Sequence, residues 1–135
     1  QRYSVEGIEV DASILANGSI DVRETIAYDL RGRFTFAFRD IPRGPDTRID
    51  AFRVVENGRE YTPADSKEPG TFQVTERPRS TTRVTWYYRA EDEGRTFDVS
   101  YRIAGGVQRY ADTADLYYKF VGEQTRRKAG KAGGK

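Results

Sequence analysis

The chain has 135 residues, of which 33% are charged and 13% aromatic, with a mean hydropathy of −0.80; that is enough apolar material for one domain around one core. Cysteine and histidine are both absent, which excludes disulfides, Cys/His zinc sites, thiolate nucleophiles and an imidazole base working near neutral pH. The net charge of +2 is uneven: residues 123–135 carry five basic residues and one acid, so the remainder is net negative and lacks the positive field that a groove following nucleic-acid phosphates needs.

In chain order the apolar period is two almost throughout. Ile8, Val10, Ala12 and Ile14 alternate with polar residues, as on a half-buried strand. Asn17-Gly18 then predicts a tight hairpin turn, which also explains the glycosylation-like triplet Asn17-Gly18-Ser19. Alternation resumes over Ile20–Leu30. A third strand carries Phe34, Phe36 and Phe38 as one apolar set and ends at Pro42, before the loop Arg43-Gly44-Pro45-Asp46. Ile49–Glu56, Asn57-Gly58 and Arg59–Thr62 predict a second hairpin, and Pro63–Gly70 a polar loop. Further strands are expected over Thr71–Glu76, Thr82–Ala90, Thr96–Ala104 and Asp115–Val121, with Glu91-Asp92-Glu93-Gly94 as an acidic turn. No amphipathic helix of useful length is visible. About nine short strands predict an all-β fold, a Greek-key-like antiparallel β-sandwich over residues 1–122, followed by a disordered basic Gly/Ala/Lys tail over 123–135. That tail reads as a linker, as sequence foreign to the domain, or as a juxtamembrane segment attracted to anionic lipid.

Glu24 stands out. It shares the pleat phase of Ile20, Val22, Ile26, Tyr28 and Leu30, so alternation points its carboxylate into the apolar layer. An isolated carboxylate there costs several kcal/mol or must protonate, so a partner is expected, and Arg39 in the Phe-Arg-Asp-Ile-Pro corner is the candidate for a structural ion pair. On the strand around Trp86, Val84 and Tyr88 share the expected core face. Tyr87 and Arg89 lie on the other and, with Tyr117 and Tyr118, form a candidate aromatic-basic binding surface for a sugar, peptide or anionic polymer. Glu91-Asp92-Glu93 and Asp112 with Asp115 offer hard oxygen ligands but match no calcium-loop spacing, so no metal and no cofactor is expected. Glu24, Asp40, Glu91 and Asp112 are the carboxylates from which a glycan hydrolase would have to choose its pair.

Four blocks in order, NGSIDVRETIAYDL, FAFRDIP, FDVSYRIAGGV and ADLYYKF, span roughly residues 8–120. Together they resemble the N-terminal region of the bacterial predicted membrane proteins called domain of unknown function 2207, although Tyr118 stands where that family tends to carry Trp. The resemblance implies a secreted β domain followed in the parent protein by transmembrane segments, with no assigned activity or catalytic residue. Since Gln1 is not a natural start, the chain is expected to be a processed product or part of a longer protein. The function expected is that of a non-catalytic domain on the extracytoplasmic side of the cytoplasmic membrane, recognising a protein or an envelope polymer and not nucleic acid. The alternatives are a carboxylate-based glycan hydrolase and a spacer with a lipid-binding tail.

Overall fold

A computed structural model of the chain describes residues 1–44 and 46–105. These form seven strands in one sheet: β1 (Arg2–Ile14), β2 (Ile20–Pro42), β3 (Arg48–Glu56), β4 (Arg59–Glu60), β5 (Thr62–Pro63), β6 (Thr71–Arg77) and β7 (Thr81–Ala104). The order along the sheet is β1-β2-β7-β3-β4, with β6 also on β7 and β5 on β6; every pairing is antiparallel except the short β5–β6 contact. The strand expected over Asp115–Val121, and the tail from residue 123, lie outside the described residues.

The architecture is all-β, as expected, but the expected count of about nine short strands is corrected to seven among the described residues. Two predicted breaks are not breaks. β2 runs from Ile20 to Pro42 and β7 from Thr81 to Ala104, and they stay paired past the segment Glu91–Gly94 that reads as a turn. Between Leu30↔Glu93 and Arg33↔Glu91, Arg31 and Gly32 face the single residue Asp92, so the segment is a bulge. Gly32 and Asp92 both take positive φ, 98° and 50°, and the Gly32 N–H donates to Asp92 Oδ1 at 2.7 Å. The acidic residues therefore mark a bend shared by two strands.

The bend folds the sheet onto itself. Trp86 and Phe97 are eleven residues apart in β7, which would separate them by about 36 Å in a straight strand. Their ring centroids are 5.6 Å apart. A larger layer (β1, the first half of β2, the second half of β7, β3 and β4) thus faces a smaller one (the second half of β2, the first half of β7, β6 and β5) across a core that includes Ile26, Leu30, Val54, Trp86, Tyr88, Phe97 and Val99.

A second register shift, between Phe34 and Phe36, changes the face of the aromatic set. Phe34 packs against the core beside Tyr3, whereas Phe36 is 42% exposed beside Tyr87, and Phe38 lies under the Arg83 guanidinium at 4.1 Å. The expectation that Phe34, Phe36 and Phe38 share one face is thereby corrected. The two Asn-Gly dipeptides also diverge. Asn57 and Gly58 both have positive φ between the paired Glu56 and Arg59, the geometry of a two-residue type I′ hairpin. After Ile14↔Ile20, by contrast, five residues form the loop, Gly18 alone of them takes positive φ, and Asn17 Oδ1 accepts from the Ser19 N–H at 3.0 Å.

Candidate functional site

Glu24 is paired with Val99 in the larger layer, fully buried, and its carboxylate crosses to the smaller layer. Arg39 Nε donates to Glu24 Oε1 at 2.7 Å and the Tyr101 hydroxyl donates to Oε2 at 2.6 Å. Fifteen residues of one strand separate Glu24 and Arg39, so this ion pair exists only because β2 folds back at its bulge. Burial by itself disfavours the Arg39 charge, but the attraction of Glu24 and its hydrogen bond more than offset that and hold the guanidinium pKa above its ordinary value. The arrangement clamps the two layers together, and no open cleft reaches the carboxylate.

A second clamp of the same composition was not among the sequence candidates. Arg95 grips Glu56 through Nε and, at 3.0 Å, through Nη2, while the Tyr61 hydroxyl donates to the same carboxylate at 2.9 Å. Arg95 also donates to the Arg89 carbonyl at 2.8 Å and stands over the Tyr88 ring. Burial pushes the Glu56 pKa up, yet the bonds from Arg95 and Tyr61 prevail and keep it below the usual carboxylate value. Tyr61 is raised by burial and by its bond to Glu56.

The other sequence candidates are dispersed. Tyr87 packs on Phe36 on the outside of the smaller layer, and exposed Arg89 lines a depression of about 480 Å³ near the bend with Arg33, Phe34, Glu91 and Glu93. Tyr117 and Tyr118 lie outside the described residues. Among the carboxylates considered for hydrolysis, Glu24 is inside the core and Asp40 is held bidentately by Arg83 on the outer face at 2.7 and 3.0 Å. Glu91 is exposed at the bend, and Asp112 is outside the described residues. The three described acids do not converge.

What the structure does gather is a shallow groove of about 600 Å³ on the outside of the larger layer, lined among others by Asp11, Asp21, Arg23, Arg53, Ser100 and Arg102. It is built by register. Asp11 is opposite Arg23, Asp21 opposite Arg102, and Ser100 stands between Arg23 on β2 and Arg53 on β3. Arg23 bonds Asp11 at 3.0 Å and Arg102 bonds Asp21 at 2.7 and 3.2 Å; Arg53 turns aside to Glu60 at 2.9 and 3.2 Å. The bond from Arg102 lowers the Asp21 pKa. No single segment encodes this site, since it draws on four strands, β1, β2, β3 and β7, and only the pairing register could have revealed it.

No curated protein and no solved structure matches the chain. A family description does: "Predicted membrane protein (DUF2207) N-terminal domain" matches residues 4–134, a span that includes nearly all of the basic C-terminal stretch. An all-β domain matched over nearly its whole length in this way belongs to the DUF2207 family, as the N-terminal domain of a predicted membrane protein.

Proposed function

We propose that this chain is a non-catalytic recognition domain, carried by a membrane protein on the extracytoplasmic side of the cytoplasmic membrane, whose larger layer meets a protein or an envelope polymer. One observation carries the reading: Glu24, the acid deepest in the fold, is spent on clamping the layers and Glu56 on tying strand ends together, whereas the outer groove presents a charged, open floor on the sheet. A catalytic pair of carboxylates needs a cleft in which an acid and a base stand roughly 5 to 9.5 Å apart across a bond. Glu24, Asp40 and Glu91 instead occupy the core, the outer face and the bend. A rigid platform of paired charges suits binding, because its side chains are already ordered before a partner arrives.

Because this domain has no cysteine, the side of the membrane can be tested with a thiol introduced into it, with the unsubstituted full-length protein as the labelling control. Ser66→Cys, in an exposed loop, is expected to react with a membrane-impermeant maleimide when the full-length protein is displayed on intact cells. Labelling that requires lysis would place the domain on the other side and refute this location. Release of sugar from envelope glycans by the purified domain would argue equally directly against a non-catalytic role.

A further inference from the structure

We infer that residues 114–121 dock as one more strand of the smaller layer, on the edge of β2 beyond the bend and over the inner face of β1. The two layers are unequally filled. β2 and β7 stay paired through the bend, so they remain side by side in both layers, and in the larger layer β1 flanks β2 while β3 flanks β7. In the smaller layer β6 flanks β7, the position over β3, but no strand among the described residues flanks β2, the position over β1.

The inner face of β1 shows the consequence. Tyr3, Ile8, Val10, Ala12 and Ile14 stand opposite Leu30, Ile26, Glu24, Val22 and Ile20, and directly opposed residues share a face, here the inner one. Their partners on β2 are all buried, whereas burial along β1 fades away from the bend. Tyr3 packs on Phe34 and is 9% exposed, Ile8 and Val10 are half-buried, and Ala12 and Ile14 are exposed, Ile14 to 66%. An apolar face without a cover thus adjoins a strand edge that can accept a neighbour.

The course of the chain selects the occupant. β7 ends at Ala104, opposite Arg48 and next to the Ile103–Ile20 pair, at the end of the sandwich away from the bend, and β2 returns to that end at Pro42. From there residues 105–113 span up to about 30 Å when extended, against the roughly 14 Å that two strand spacings and one layer spacing require. Leu116, Tyr118 and Phe120 then alternate with Asp115, Tyr117 and Lys119. At about 3.3 Å per residue, residues 114–121 cover about 26 Å, close to the span of β2 from Phe34 to Pro42, and run antiparallel to it. In that place the apolar phase covers Val10, Ala12 and Ile14, and the other phase faces water.

The test is separate from the labelling of Ser66→Cys and does not depend on the role proposed for the outer groove. A nitroxide is attached at Lys119→Cys, the sole thiol of that variant, and paramagnetic broadening of backbone amides is mapped by NMR in the isotopically labelled full chain. Broadening is expected to be strongest over residues 36–41 of β2 and along β1, with β3, β4 and β6 spared. Broadening centred on β3, β4 or β6, or none on any strand, would overturn the docking. A mixture of spin-labelled, isotopically unlabelled chain with isotopically labelled chain free of nitroxide should show none; broadening there would assign the strand to a second copy and overturn the inference equally. Phe120→Asp, which puts a charge in the apolar phase, should speed hydrogen exchange of the β2 amides beyond the bend about tenfold, and Phe120→Leu should leave it unchanged. Exchange at the native rate in Phe120→Asp would also overturn it.

Discussion

The two Glu–Arg–Tyr clamps use the same three residue types at different depths. Glu24 and Arg39 are 0% and 3% exposed and join the layers through the middle of the core. Glu56 and Arg95 retain 12% and 20% exposure and join the hairpin end of β3, the bend end of β7 and the Tyr61 segment. In both, arginine and tyrosine together saturate a carboxylate that neither could satisfy alone, since a carboxylate accepts several hydrogen bonds and an ion pair out of water is tolerable only when these are made. Depth should therefore decide what each clamp is worth.

The largest effect expected is that of Glu24→Ala. It removes the anion that balances a nearly fully buried guanidinium and takes away the acceptor of the Tyr101 hydroxyl, at a cost of about 3–5 kcal/mol. Urea unfolding followed by Trp86 fluorescence should show the midpoint falling accordingly. Replacing the pair together, as Glu24→Leu with Arg39→Met, should recover most of the loss, because an apolar pair needs no desolvation. A double variant no more stable than Glu24→Ala would show that the pair adds net stability beyond balancing its own charges.

Glu56→Ala should cost less, about 2 kcal/mol, in the range of hydrogen bonds to charged groups, since water can reach Arg95 and Tyr61 once the carboxylate is gone. Equal losses for Glu56→Ala and Glu24→Ala would mean that burial does not set the difference. Next comes the bend on which the Glu24–Arg39 clamp depends. A Cβ at Gly32 would lie 3.0 Å from Gln1 Cγ and 3.1 Å from Gln1 Cα, on backbone with φ of 98°. Gly32→Ala is expected to cost about 1–2 kcal/mol for a conformation that only glycine adopts readily. Under native-state hydrogen exchange its amides near the bend should open before those around Glu24.

The deep clamp was legible in the sequence and the shallow one was passed over, although the signal was of the same kind. Glu24 interrupts an alternating apolar series, and Arg39 sits in a short corner motif that limits the choice of partner. Glu56 likewise continues the phase of Val54, and Arg95 that of Phe97 and Val99, but both flank apparent turns, Asn57-Gly58 and Glu91–Gly94, where polar residues are expected. A turn signal masks an inward-pointing charge at a strand end. The bend was hidden for a related reason: an acidic, glycine-containing stretch reads as a hairpin, and only continued pairing of β2 with β7 shows it to be a bulge. The Ser100 groove was beyond local reading, because period-two patterns assign a face to each residue but not its neighbours across strands.

Acidification separates the clamps by the smallest effect. The folded-state pKa of Glu56 is depressed, with burial opposing the shift and the bonds from Arg95 and Tyr61 producing it. Its contribution is therefore complete above the unfolded glutamate pKa of about 4.3 and is lost as pH falls through the lower folded value. The stability difference between the native chain and Glu56→Gln should hold steady from neutral pH to about pH 5 and then close on further acidification. Alkali acts on the tyrosine of the same clamp in the opposite sense. Tyr61 is raised by burial and by Glu56, so its share persists below the free tyrosine pKa of about 10 and is lost as pH rises beyond it. Tyr61→Phe should flatten that alkaline limb and leave the acid limb in place. A difference between the native chain and Glu56→Gln that stayed constant to pH 2 would show that the carboxylate gains nothing from its partners on folding.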